Sequence, residues 1–189
     1  VEFLPVLSLL GKTEAILREL QSVNADVVVV AGRFKDEVQI LQSRHLFPDP
    51  VKVVAAVAAG VHAFYQDLNQ AAEGVIGPSQ WEPEVCFPEI QGPDAAWFVQ
   101  NFQQRAGQPP DYTAAGAFAI GLVLAECIRR AGSLDDERLR AVAPELDFHT
   151  FYGRFRIHRT GRQVGHRILL TQWQQGRKVV LAGGETPEA

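Results

Sequence analysis

DVVVVAG, residues 26–32, is the stretch on which the fold turns. Four successive valines form a continuous β-branched run, the composition of a strand buried on both faces rather than one with a solvated side. Burial on both faces requires helices above and below a sheet, so the flanking segments should be helical. Upstream, Thr13 and Glu14 open a helix whose apolar residues Ile16, Leu17 and Leu20 fall at helical spacing, and Asn24-Ala25-Asp26 ends it. Downstream, the segment from Asp36 to Arg44 carries Val38, Ile40 and Leu41 as an apolar stripe and stops before the Phe-Pro-Asp-Pro breaker at 47–50.

The alternation extends in both directions. VEFLPVL (1–7) reads as a strand, VKVVAAV (51–57) as the next, VHAFYQDLNQ (61–70) as a helix and EGVIG (73–77) as a further strand. This βαβαβαβ order predicts an α/β fold with an open, doubly wound, mostly parallel sheet and right-handed crossovers.

After GPSQW (77–81) the pattern changes. Pro83, Pro88 and Pro93 interrupt a stretch without helical period, which reads as a crossing segment. Trp81, straight after the Gly-Pro turn, is open to three readings: a core plug, a hinge residue or a ligand contact. Asp94 caps a helix through Gln104, and Tyr112–Ala131 is a long apolar helix ending at Gly132 that must be covered on most sides. Ser133 or Asp135 caps a short helix with acidic residues in its first turn. FHTFYGRFRI, a Thr-Gly-Arg turn, and HRILLTQW with VVLAG about the QQGRK loop read as two or three antiparallel strands.

Composition excludes several classes. With 189 residues, 47% hydrophobic, and a net charge of −4, the chain suits one or two globular units and argues against a nucleic-acid partner. The basic residues are densest at 154–167, where the alternation is that of a solvated hairpin. No apolar run reads as long enough to span a membrane. The absence of methionine, with a first segment that already reads as a strand, suggests a piece of a longer protein. Cys86 and Cys127 are too isolated for a metal motif; two separate thiols or a disulfide both remain open. His45 and His62 have no second ligand at i+4, Glu82 and Glu84 straddle a proline, and no phosphate-cradling glycine loop is present. The expectation is a protein that is not an enzyme and has neither metal nor cofactor.

The succession DVVVVAG-x-F-x-DE, AEGVIGPSQWEP, DYTAAGAFAIGLVLAECIRRAGSLDD, LDFHTFYGRFRI and GRQVGHRILLTQWQQGRKVVL resembles the C-terminal half of the substrate-binding proteins of branched-chain amino acid ABC transporters. These have the Leu/Ile/Val-binding-protein-like, type I periplasmic-binding fold. The resemblance implies two hinged lobes crossed by the chain: 1–82 in the second lobe, 83–152 as a helical segment of an incomplete first lobe, and 153–189 returning to the second as a β ribbon. It also implies a solute-binding component of an ABC importer that binds an amino acid or similar small polar solute and delivers it to a membrane permease. Its location would be periplasmic or extracellular, with a lipoprotein anchor in the part upstream. The alternative is a ligand-sensing domain of the same fold in a receptor or regulator. Exposed first-lobe helices would favour self-association.

Ligands of open α/β sheets sit at the carboxyl ends of strands. Those ends are Gly32-Arg33-Phe34, Ala58-Ala59-Gly60 and Ser79-Gln80-Trp81, which makes Arg33, Phe34, Ala58, Gln80 and Trp81 the candidate ligand-binding residues. Arg33 suits an anionic group, or an ion pair with Asp36 or Glu37. Phe34 either covers a ligand or caps the helix below it. The family places an acid for the ligand's ammonium in the loop after VKVVAAV; Ala58-Ala59-Gly60-Val61-His62 offers none. Trp97, Trp173 and Tyr112 read as packing residues.

Overall fold

A computed structural model describes residues 12–87 and 90–183. The expected strand at 1–7 lies outside the described residues. In chain order the elements are α1 (Thr13–Val23), β1 (Val27–Val30), α2 (Phe34–Gln42), β2 (Val53–Ala56), α3 (His62–Leu68), β3 (Ile76–Ser79), α4 (Ala95–Ala106), α5 (Tyr112–Ala131), α6 (Asp136–Val142), β4 (Asp147–Thr150), β5 (Gly153–Arg156), β6 (Leu169–Gln174) and β7 (Arg177–Ala182), with short 3-10 turns between. They form two compact units. One takes the described residues of Val1–Ser79 with Leu170–Ala182, the other those of Gln80–Leu169 with Gly183.

The first unit is built on a five-stranded sheet in the order β1-β2-β3-β6-β7. β1, β2 and β3 run parallel, with Val27 opposite Val53 and Val30 opposite Ala56, whereas β6 and β7 form an antiparallel hairpin. Helices that return each strand to the same edge leave the strands parallel, and Val38, Ile40 and Leu41 of α2 with Phe64 and Leu68 of α3 pack into the core over Val28, Val30 and Val54. The expected two-sided burial of the valine run needs correction. Val28 and Val30 are buried, but Val27 is 55% and Val29 68% exposed. Val53, opposite Val27, and Val179 and Leu181 of β7 are exposed too, so this sheet has one uncovered apolar face among the described residues.

The hairpin is locked to the parallel strands by polar groups that have been bonded as they were buried. Trp173 Nε1 donates to the Ala59 carbonyl at 2.8 Å, and its ring stacks on Tyr65 at 4.9 Å between centroids. Thr171 Oγ1 donates to the Gly77 carbonyl at 3.1 Å. Gly77 is required by crowding, since a Cβ there would lie 2.6 Å from the Ala59 Cβ and 3.0 Å from the Ala56 carbonyl oxygen. Glu73 accepts from the backbone N–H groups of Gln175 and Gly176 at 2.8 and 2.7 Å, closing the turn between β6 and β7.

In the second unit, helix ends follow their capping chemistry. Asp94 Oδ1 accepts from the Trp97 N–H at 2.7 Å, Asp135 Oδ1 from the Arg138 N–H at 3.1 Å, and α5 stops at Gly132 in the left-handed conformation. One cluster gathers Trp81, Phe98, Ala115 and Phe151; another gathers Cys127, Leu146 and Phe148. Two expectations change here. By length and composition α5 could cross a membrane, against the reading that no apolar run is long enough, although it packs along both clusters of this unit. Trp97 is 47% exposed rather than core, because its neighbour Phe98, 4% exposed, takes the inward position on α4. Residues 153–169 belong to the second unit: β4 and β5 are antiparallel partners, and Arg154 grips Asp147 with bonds of 2.7 and 2.8 Å, and the division between the units falls between Leu169 and Leu170. Cys86 is exposed and Cys127 buried, both as free thiols.

Candidate ligand-binding site

The five candidate residues divide between the units: Arg33, Phe34 and Ala58 in the first, Gln80 and Trp81 in the second. In the first, β1 ends in an extended turn and α2 begins at Phe34, whose half-buried ring packs against the core cluster. Ala58 lies in the 3-10 turn Val57–Gly60 after β2. The two loops are joined by a residue of α2. Glu37 is fully buried; Oε1 accepts from the Gly32 N–H at 2.8 Å and Oε2 from the Ala58 N–H at 2.6 Å. Burial raises its pKa above the ordinary carboxylate value, the Ala58, Gly32 and Val57 N–H groups pull it back, and the neighbouring Asp36 charge raises it further.

Arg33 takes up the ion pair that its neighbours allow. Its Nε donates to Asp36 Oδ2 at 3.1 Å, with the guanidinium side chain 73% exposed and the aspartate buried. The other oxygen, Asp36 Oδ1, is buried without a hydrogen-bond partner. Both carboxylates were named in the sequence only as partners for Arg33. The loop-binding role of Glu37 escaped because its two acceptor contacts lie 5 and 21 residues away, the second across a crossover connection.

In the second unit Gln80 is exposed and Trp81 only 2% exposed. The indole donates from Nε1 to the Phe151 carbonyl at 3.1 Å and meets Phe98 and Phe151 edge-on at 5.9 and 5.7 Å between centroids. Core packing therefore occupies most of its surface, and its remaining edge borders a pocket with Gln80, Phe87, Tyr152, Arg154 and His166. The pocket has room for about one water molecule. Tyr152 donates its hydroxyl to Gln80 Oε1 at 3.0 Å and stacks on His166 at 4.8 Å with the rings 10° from parallel. Burial pushes the Tyr152 phenol up to about 12, with Tyr112 adding to the effect. Burial also lowers the His166 imidazole, which the Gln80 backbone opposes. Tyr152 and His166 were not among the sequence candidates; a lone tyrosine and histidine in a ribbon give no spacing signal. Tyr112 packs against the Trp81 cluster, and Trp173 is core in the first unit. Among the described residues no three His, Cys, Asp or Glu side chains gather to hold a metal ion.

Known proteins share this architecture. The profile of the periplasmic binding protein family matches residues 11–178. Among solved structures, a leucine binding protein, LivK, of Thermotoga maritima is 21% identical with a TM-score of 0.74, over 90% of this chain and 47% of that one. The branched-chain amino acid transporter substrate binding protein LivJ of Streptococcus pneumoniae, in complex with isoleucine, is 18% identical with a TM-score of 0.71, over 92% of this chain and 49% of its own. An ABC transporter solute binding protein of R. palustris, in complex with benzoate, is 18% identical with a TM-score of 0.69, over 97% and 48%. The chain thus spans about half the length of the solved relatives it matches. These likenesses establish the type I fold, and members of the family are solute-binding proteins of the periplasm or cell exterior rather than enzymes. With the family profile covering all but the two ends, the chain belongs to the periplasmic binding protein family.

Proposed function

We propose that the protein serves as the solute-binding component of an ABC importer, taking up an amino acid or related small solute and delivering it to a membrane permease. Arg33, Phe34 and Ala58 of the first unit and Gln80 and Trp81 of the second are its contact residues. The observation that carries this reading is the family match over residues 11–178. Leucine, isoleucine and benzoate, named with the three solved relatives, each combine a carboxylate with an apolar body. Arg33, with its guanidinium side chain largely exposed at the end of β1, suits the carboxylate, and Phe34 beside it suits the apolar part. Binding would act by population shift, the solute favouring whichever arrangement gives it more contacts. Exposed Trp97, Ile120 and Leu124 on α4 and α5 support self-association as a further property.

A thermal-shift panel of amino acids, short amides and small carboxylates tests the reading. At least one carboxylate solute should raise the melting temperature of this chain, and Arg33→Ala should abolish the rise, read against the variant's own melting temperature because Asp36 loses its ion-pair partner. A folded chain that responds to no solute overturns the proposal.

A further inference from the structure

Residues 147–167 concentrate one sign of charge. Arg154, Arg156, Arg159, Arg162 and Arg167 stand there against a single acid, Asp147, so this stretch carries +4 in a chain of net −4 and leaves −8 for the remainder. Other arginines of the chain have an acid close by in sequence: Arg18, Arg33, Arg129, Arg130 and Arg140 each pair with one three or four residues away. In the ribbon Arg154 takes Asp147 through two bonds, and Arg156 lies 3.8 Å from the same carboxylate. Arg159, Arg162 and Arg167 are exposed and have no acidic partner among the described residues.

Local structure fixes where these side chains start. β4 and β5 pair with Asp147 opposite Arg156 and Phe148 opposite Phe155. Side chains alternate across a strand, so Phe148 and Phe155 pack with the Cys127 cluster while Arg154 and Arg156 take the other face. Beyond β5 the chain turns tightly. The Gly161 N–H donates to the His158 carbonyl and the His158 N–H to the Arg162 carbonyl, both at 2.8 Å, with Gly161 at a φ of +84°. Gln163 Oε1 then accepts from the Arg156 and Gly165 N–H groups at 3.3 and 2.9 Å, tying the returning chain to β5. A Cβ on Gly165 would lie 2.9 Å from the Arg156 Cβ and 3.1 Å from the Arg154 Cγ, so the returning chain braces both arginine stems. A guest here meets an ordered backbone, which lowers the entropy lost on binding.

Like charges this close repel one another, a cost to folding that an anion on the same surface would offset. Asp147 is already engaged: the Arg154 bonds hold its carboxyl below the ordinary value, and the Arg154 and Arg156 charges add to this. The extent of the anion follows from the charge of the rest of the chain. A membrane or a nucleic acid is an extended anionic surface and would also face the remaining −8. A short acidic segment meets the ribbon alone. Its carboxylates suit arginine forks, as the two parallel bonds between Arg154 and Asp147 illustrate.

We infer that β5 and the turn that follows it form a docking surface for an acidic segment of a protein partner, whose carboxylates pair with Arg156, Arg159, Arg162 and Arg167. The importer reading supplies the partner, a membrane permease; the surface itself stands on the charge and geometry of the ribbon.

The test titrates the whole 15N-labelled chain with an acetylated, amidated octapeptide of alternating glutamate and glycine, and with the same peptide carrying glutamine for glutamate. The glutamate peptide should move the backbone amide resonances of residues 154–167 saturably in the millimolar range, less so as salt is raised, and the glutamine peptide should not. The triple variant Arg159→Gln, Arg162→Gln, Arg167→Gln should weaken binding by about tenfold. Arg105→Gln, Arg138→Gln, Arg177→Gln changes the net charge equally at exposed positions elsewhere and should leave the affinity within about twofold. Shifts spread over the whole chain, an equal response to both peptides, or equal losses in the two triple variants overturns the docking surface. Vesicles of equal parts phosphatidylglycerol and phosphatidylcholine that displace the peptide would overturn the choice of a protein segment. Failure here is separable from failure of the importer reading. A solute that stabilises a chain to which the glutamate peptide does not bind removes the docking surface alone, whereas peptide binding in a chain that no solute stabilises leaves the surface and removes the importer role.

Discussion

Glu37 Oε2 accepts a hydrogen bond from the Ala58 backbone N–H at 2.6 Å, so a helix residue with no exposed surface holds the loop that follows the second parallel strand. Its other oxygen holds Gly32, in the loop after the first. One carboxylate thereby sets the spacing of two loops, one carrying Arg33 and leading into Phe34 at the start of α2, the other carrying Ala58.

Glu37→Gln should therefore destabilise the protein by about 2–4 kcal/mol, because one backbone N–H would face an amide donor in a buried place. The pH dependence follows from the raised native pKa. The native state holds the Glu37 proton to higher pH than the unfolded chain, so between the ordinary carboxylate value and the raised one the unfolded state has fewer protons bound. The contribution of this group is full below that window and declines as pH rises through it. Urea unfolding from pH 4 to 8 should show the decline in the unaltered protein and a flatter profile in Glu37→Gln. A Gln variant of unchanged stability would remove the loop-holding role.

The Glu126 carboxylate gives the opposite pH response. Arg129 reaches it through Nε and Nη2 at 2.8 and 2.7 Å, and Arg130 through Nε at 2.7 Å, holding its pKa down at about 2. The unfolded chain binds this proton first, so the stabilisation is present at neutral pH and is lost as pH falls from the ordinary carboxylate value towards 2. Acid unfolding of Glu126→Gln should lack that component of the loss. Coincident acid transitions for the two proteins would count against it.

Trp81→Phe should cost about 2–4 kcal/mol, from the volume lost between Phe98 and Phe151 and the Phe151 carbonyl left without its indole donor. Denaturant unfolding measures this directly. A loss below about 1 kcal/mol would mean that the indole is not a core residue of the second unit.

Periodicity made the elements legible, and burial of individual faces was what it left out. Tyr112–Ala131 and its stop at Gly132 are readable because twenty residues of apolar helix end at the residue that tolerates a left-handed conformation. The Asp94 and Asp135 caps are readable for the same local reason. The valine run misleads because β-branched composition reports strand propensity, whereas exposure of Val27 and Val29 depends on what lies over that face. Trp97 misleads similarly: residue type favours the core, but its neighbour Phe98 occupies the inward position on α4. At the candidate site, strand ends locate Arg33, Phe34 and Ala58 from order alone. Glu37, Tyr152 and His166 act through contacts made only after the chain has folded back on itself.

The last expectation concerns association. Ile120 is 69% exposed and Leu124 49% exposed on α5, one turn apart on the same side, and Trp97 of α4 is 47% exposed in the same unit. Apolar side chains grouped in this way on a folded surface favour contact with another surface. If a second copy covers them, sedimentation velocity should show a concentration-dependent shift from monomer to dimer. The double substitution Ile120→Lys and Leu124→Lys should leave a monomer at all concentrations, because two charges would have to lose their water for the contact to form. Both positions face solvent, so the change should alter unfolding stability by no more than about 0.5 kcal/mol each. A variant that remains folded and associates as strongly as the unaltered chain would place the contact elsewhere. A chain that is already a monomer at every concentration would mean that these side chains are not covered by a second copy, however apolar they are.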